Sequence, residues 1–135
     1  MMQNILTGFA GVFDPVNLLL CVGGLFAGVI FGALPGFSAT MGVAVFVPFS
    51  YALEPQGALL LLSGVYCGGV YGGSIPAILI GIPGTPASVP TSFEGRAMTA
   101  RGDAGRALAL CTFASSVGGR SEEHTSELQS PNTNS

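Results

Sequence analysis

The sequence predicts an all-α membrane protein: a polytopic helical bundle with Pro-Gly broken or re-entrant helices. Three observations predict it. Residues 15–53 contain no Asp, Glu, Lys, Arg or His, and neither do residues 55–93, so only Glu54 separates two long uncharged stretches. A run of about 18 apolar residues without charge is long enough to cross the hydrocarbon core as a helix. Charged residues make up 8% of the chain, against about 25% in soluble domains. Gly (21 residues) and Pro (9 residues) are abundant, yet 49% of residues are hydrophobic. Disorder would require low hydrophobicity, whereas Gly and Pro are both frequent in membrane helices.

The same composition excludes other classes. No basic stripe exists, so no nucleic-acid partner is expected. Cys21, Cys67 and Cys111 sit singly inside apolar stretches. That spacing matches no zinc pattern, and an odd count argues against a disulfide framework. The first residues lack a positive n-region and a small-residue cleavage site, so a cleaved signal peptide is not expected.

The elements follow in order. Ile5, Leu6, Phe9, Val12 and Phe13 recur at helical spacing. Residues 4–13 therefore read either as an interfacial helix or as an extension of the first span. Asp14-Pro15 opens the first hydrophobic segment, with Asp14 as N-cap and Pro15 at the first helical position. Residues 16–34 form that span, and Gly24, Gly28 and Gly32 stack on one face, where another backbone can approach closely. Pro35-Gly36 breaks it. Residues 37–53 form a second apolar segment containing Pro48. Glu54-Pro55-Gln56-Gly57 reads as a turn.

Residues 57–82 form the longest segment, with a second ladder at Gly64, Gly68 and Gly72 and a kink or break at Pro76. Pro83-Gly84-Thr85-Pro86 and Pro90 make a further break. Thr91-Ser92-Phe93-Glu94 has capping-box form and starts a short polar helix. Gly102 ends it, and Asp103 caps an apolar helix over residues 104–119. Arg96, Arg101 and Arg106 lie in this polar connection, which the positive-inside rule makes cytoplasmic. If residues 16–34, 37–53 and 57–82 all cross, the N-terminus is periplasmic; if one is re-entrant, it is cytoplasmic. Residues 120–135 are polar, without hydrophobic periodicity. RSEEHTSELQS within them resembles a translated sequencing adapter. Residues 1–119 are therefore taken as the membrane domain. The tail, with the sole histidine His124, is set aside as artefactual.

The breaks carry the functional signal. Non-helical backbone at membrane depth leaves N–H and C=O groups unpaired, each costing several kcal/mol in lipid, unless protein buries them or they line a wet cavity. Transporters use such breaks as sites for anions and cations. Pro35-Gly36-Phe37-Ser38-Ala39-Thr40 echoes Pro83-Gly84-Thr85-Pro86-Ala87-Ser88. The candidate binding residues for substrate or ion are therefore Pro35, Gly36, Ser38 and Thr40 in the first break. Pro83, Gly84, Thr85, Pro86 and Ser88 are their counterparts in the second, and Ser74 joins them as a weaker candidate. The plain alternative for either break is a tight hairpin between spans. Tyr66 and Tyr71 read as packing or interface residues, Glu54 as interfacial, and Glu94 as a helix cap. An intramembrane enzyme would need a nucleophile with a base, or paired acids, at membrane depth. No His lies outside the tail and no carboxylate lies inside a span, so an enzyme is not expected.

GALPGFSATMGVAVFVPFSYAL at 32–53 and YCGGVYGGSIPAILIGIPGTPASVPTSFEGRAMTARGDAGRAL at 66–108 resemble the N-terminal part of TctA. TctA is the large permease subunit of tripartite tricarboxylate transporters. The resemblance implies a multi-pass protein of the bacterial inner membrane and secondary transport driven by an ion gradient. It implies citrate or related small carboxylates as substrates, no resident cofactor, and Na+ or H+ as coupling ion. A small membrane subunit (TctB-like) and a periplasmic solute-binding protein (TctC-like) are the implied partners. Family members are much longer, so the chain reads as an N-terminal fragment, inactive alone. The competing reading is a non-transporting membrane scaffold held by the two glycine ladders, which expects helices running unbroken through both Pro-Gly sites.

Overall fold

The computed structural model describes residues 1–129, with side chains through Arg120. The described residues form helices and no strand: α1 (Met2–Val12), α2 (Pro15–Ala33), α3 (Ala39–Ser50), α4 (Pro55–Gly72), α5 (Ser74–Leu79), a 3₁₀ turn (Pro86–Ser88), α6 (Val89–Ala100) and α7 (Ala104–Gln129). The protein is an all-α membrane protein. Two stretches are long and apolar enough to cross a bilayer: Pro15–Ala33, with mean hydropathy 2.2, and Pro55–Leu79, with mean hydropathy 1.5. Only 22% of the first is buried, and Leu19, Phe26 and Ile30 are each more than half exposed. The core helix of a water-soluble domain would hide that surface.

Helices α2 and α4 meet backbone to backbone. A methyl group at Gly24 would lie 2.5 Å from the Leu61 carbonyl oxygen, and one at Gly64 would lie 2.5 Å from that of Cys21. At Gly28 and Gly68 it would collide with the carbonyls of Val65 and Leu25. Both ladders are thus interlocked, as small-residue stripes at spacing four allow. The contacts advance together along both helices, so α2 and α4 run parallel. Helix α3 returns between them: Ala39 packs on Gly69 and Gly42 on Val65, an antiparallel pairing. Phe31 anchors α3 by ring contacts with Phe37 at 5.8 Å and Phe46 at 6.1 Å. At 12 residues, α3 extends about 18 Å, short of the roughly 30 Å hydrocarbon core.

Several expected boundaries shift. Helix α1 is a separate helix, turned from α2 at Phe13-Asp14 and tied back by the Asn17 side-chain amide, which donates to the Gly11 carbonyl at 2.7 Å. Asp14 and Pro15 hold their expected places, but the Asp14 side chain makes no capping bond. Glu54–Gly57 is not a turn. Pro55 is the first residue of α4, where its missing N–H leaves nothing unpaired. The long segment breaks at Gly73, one turn before Pro76. Proline there cannot donate to the Gly72 carbonyl and its ring crowds it. Thr91–Glu94 is not a capping box: these residues lie inside α6, which starts at Val89 with Pro90 in its first turn, and Ser92 bonds back to the Val89 carbonyl. The reciprocal cap belongs to Thr85 and Ser88. Gly102, at φ 87°, ends α6 as expected. The backbone of α7 continues through residues 120–129, against the irregular tail that their composition suggests; residues 130–135 lie outside the described residues.

Candidate functional site

The second break folds back into the helices. Helix α5 extends α4 past Gly73. The chain then turns at Gly81 (φ 73°) and returns, so that the Gly84 N–H donates to the Gly73 carbonyl at 3.2 Å. A methyl at Gly84 would lie 2.5 Å from the Gly32 carbonyl oxygen and 2.8 Å from the Gly73 Cα; at Gly73 it would lie 2.8 Å from the Thr85 side chain. Only glycines permit this approach. Thr85 and Ser88 are buried. The Ser88 hydroxyl donates to the Thr85 carbonyl at 2.7 Å, and the Thr85 N–H donates to Ser88 Oγ at 3.3 Å. Buried Ser74 donates to the Tyr71 carbonyl at 2.6 Å, satisfying an acceptor at the end of α4. From Ser88, α6 runs alongside α5: Gly95 packs on Ile78, and the Thr99 hydroxyl contacts the Ile78 and Gly95 carbonyls at 2.8 and 2.9 Å.

The first break is open. Pro35, Gly36 and Thr40 are exposed and Ser38 is half-buried. Gly36 has φ 98° with nothing nearby. Ser38 is the N-cap of α3, accepting the Met41 N–H at 3.3 Å, and its hydroxyl pairs with that of Thr40 at 2.7 Å. Both breaks adjoin the same end of the α2/α4 pair, the first through Ala39 on Gly69 and the second through Gly84 on Gly32 and Gly73.

A groove of about 770 Å³ opens beside the second break. Of the sequence-predicted residues it gathers Ser74 and Ser88; Thr85 joins them through its bonds to Ser88. Pro83, Gly84 and Pro86 belong to the same break but do not line the groove. Pro35, Gly36, Ser38 and Thr40 do not line it either. Sequence reading missed the rest of the wall. Tyr66 and Tyr71 come from α4, and Thr112, Ser115 and Ser116 from α7. The Tyr71 hydroxyl, read as packing, meets that of Thr112 at 3.1 Å. The signal for α7 was present, since residues 112, 115 and 116 share one helix face at spacings of three and four. Among the described residues no Asp, Glu, Lys or Arg lines the groove. Among the described residues no cluster of His, Cys, Asp or Glu is suited to a metal.

Parallel membrane-length helices, two broken segments meeting at one end of them, and an uncharged hydroxyl-lined groove define a transporter-like membrane architecture. The comparisons narrow this class. The family model "Tripartite tricarboxylate transporter TctA family" matches residues 18–121, and the chain belongs to that family. It is also 38% identical, over 119 residues, to an "Uncharacterized 52.8 kDa protein in TAR-I ttuC' 3'region" of Agrobacterium vitis. That alignment covers 88% of this chain and 24% of the relative, so the chain spans about a quarter of the curated relative's length. No solved structure matches.

Proposed function

We propose that this chain is the N-terminal part of the permease subunit of a binding-protein-dependent tripartite transporter. On this reading it moves tricarboxylates or related small carboxylates across the bacterial inner membrane. An Na+ or H+ gradient drives it. It works with a TctB-like small membrane subunit and a TctC-like periplasmic solute-binding protein. The observation that carries the reading is the convergence of both Pro-Gly breaks on one end of a parallel pair of membrane-length helices. The helix starts after Gly36 and Gly84 turn their positive dipole ends toward this end of the pair, where a polyanion would be received. Ser38, Thr40, Ser74, Thr85 and Ser88 surround those starts with hydroxyls, and Pro35, Pro83 and Pro86 keep the segments from closing into helix. The scaffold alternative expects helices unbroken through both Pro-Gly sites, whereas α2 ends at Ala33 and α5 at Leu79, each ahead of its Pro-Gly pair.

The parallel pair also orients the chain. Asp14 and Glu54 lie at one end, as the N-caps of α2 and α4. Arg96, in α6, lies against Gly81 beyond the other end; Arg101 caps α6 and Arg106 lies in the first turn of α7. With the arginines cytoplasmic, the N-termini of α2 and α4 face the periplasm.

The test replaces Pro83-Gly84 with Ala-Ala in the full-length permease and measures uptake of labelled citrate in cells that hold all three components. Uptake at least tenfold lower, with the protein still in the membrane fraction, supports the reading. Unchanged uptake for this variant and for its Pro35-Gly36 counterpart removes the breaks from the mechanism.

A further inference from the structure

Helices α2 and α4 correspond residue by residue at one constant interval. Asp14-Pro15 matches Glu54-Pro55, each an N-cap followed by proline at the first helical position. Leu19 and Leu20 match Leu59 and Leu60, and the ladder Gly24, Gly28, Gly32 matches Gly64, Gly68, Gly72. The packing obeys the same interval. Gly24 faces the Leu61 carbonyl while Gly64 faces that of Cys21; Gly28 faces Val65 while Gly68 faces Leu25; Gly32 faces Gly69 while Gly72 faces Val29. Each contact becomes its partner when the copies are exchanged. That is the reciprocity of a two-fold interface, here about an axis parallel to the helices, as in parallel transporter repeats.

The copies differ where α4 lines the groove. Phe26 of the first copy is Tyr66 in the second, Phe31 is Tyr71, and Leu34 is Ser74. These three differences each add a hydroxyl to the groove wall, where Cys67 also stands for Ala27 and Val70 for Ile30. Their counterparts in the first copy remain apolar: Phe26 and Leu34 are 65% and 49% exposed, as a surface toward lipid requires, while Phe31 packs on Phe37 and Phe46.

Most of the hydroxyl hydrogens along the wall are already committed. Ser74 donates to the Tyr71 carbonyl, Ser88 to that of Thr85, Thr112 to that of Leu108 and Ser116 to that of Thr112. With its own hydrogen used, Thr112 Oγ1 accepts from the Tyr71 hydroxyl. What these oxygens have left is lone pairs; the Tyr66, Thr91 and Ser115 hydroxyls keep a hydrogen each, so acceptor sites still outnumber donors along the wall. Among the described residues no carboxylate or imidazole lines it to carry a proton.

We propose that the second copy has diverged to make this groove a hydrated, oxygen-lined site for a small monovalent cation, with Tyr66 and Tyr71 of α4 and Ser74 at the start of α5 as one wall. The proposal rests on the permease reading, in which such a cation is the coupling ion.

Native Cys67 lines the groove, whereas Ile30, 64% exposed, is the α2 counterpart of groove residue Val70. The test uses two single-cysteine variants of the chain in unsealed membrane fragments. One keeps only Cys67; the other carries Ile30→Cys with the three native cysteines changed to Ser. Each is titrated with a cationic (trimethylammonium) and an anionic (sulfonate) methanethiosulfonate of equal reach. Rates are divided by those for a free thiol in water. Cys67 should react at least tenfold faster than the Ile30→Cys thiol, and severalfold faster with the cationic reagent than with the anionic one. Tyr66→Phe with Tyr71→Phe should erase that charge preference. Slow labelling of both thiols means a dry groove and overturns the proposal, as does preference for the anion or indifference to the reversion. Fast labelling of both thiols also overturns it, and that result alone removes the bilayer, and with it the permease reading, as well.

Discussion

Pro35–Thr40 and Pro83–Ser88 both open on Pro-Gly and close on Ala followed by a hydroxyl residue, yet their surroundings have almost nothing in common. The first break projects from the α2/α4 pair with its proline and glycine exposed, and its hydroxyls serve the start of α3. The second is folded back between α2, α4 and α6, with Gly84, Thr85 and Ser88 buried. A Pro-Gly pair therefore ends a helix wherever it occurs, while packing decides whether the freed backbone is capped by its neighbours or left toward solvent or another subunit. Buried backbone must be paired within the protein. The Thr85–Ser88 pair and the Gly84-to-Gly73 bond meet that demand at the second break.

The largest expected effect separates the two glycines. Gly84→Ala forces a methyl against the Gly32 carbonyl and the Gly73 Cα, both backbone, so neither can swing away. Overpacking of this kind costs about 1–3 kcal/mol, and the absence of any flexible neighbour places it at the upper end. Gly36→Ala meets open space and suffers only from φ 98°, a left-handed penalty of about 1–2 kcal/mol. Thermal unfolding of the two variants in detergent should show Gly84→Ala melting lower. Equal midpoints would mean that the second break is not packed as described.

The serines come next. Ser88→Ala leaves the buried Thr85 N–H without its acceptor, which costs about 1–3 kcal/mol. Ser38→Ala removes an N-cap at a half-buried position, typically about 1 kcal/mol. The same unfolding assay should rank Ser88→Ala as the more damaging. Amide exchange should also speed up at residues 84–88 in that variant and only around residue 41 in the other.

Much of the fold was legible because prolines and glycines act locally. Pro15 and Pro35-Gly36 bounded α2 to within a residue, and the two ladders announced a close backbone contact. The errors came where one local signal had two meanings. Pro55 looked like a turn residue, although proline is equally at home at the first helical position. Thr91 to Glu94 had the form of a cap, but Thr85 and Ser88 formed one first, and α6 was already under way. The groove was out of reach because its walls come from α4, the 3₁₀ turn and α7, and no local pattern says that Tyr71 meets Thr112. The echo of Pro35–Thr40 in Pro83–Ser88 drew attention away from the stronger correspondence of Pro15 with Pro55 and of ladder with ladder.

The smallest expected effect is at Thr40, and it sharpens the comparison most cheaply. Thr40 is exposed, and its hydroxyl bonds only that of Ser38, which already accepts the Met41 N–H. Thr40→Ala should therefore change stability by no more than about 0.5 kcal/mol. If uptake by the full-length permease nevertheless falls severalfold, the Thr40 hydroxyl serves the passing solute rather than the fold, and the open break is a contact surface in its own right. If uptake and stability both hold, the first break is a hairpin, and the buried second break alone carries the chemistry that their shared sequence suggested for both.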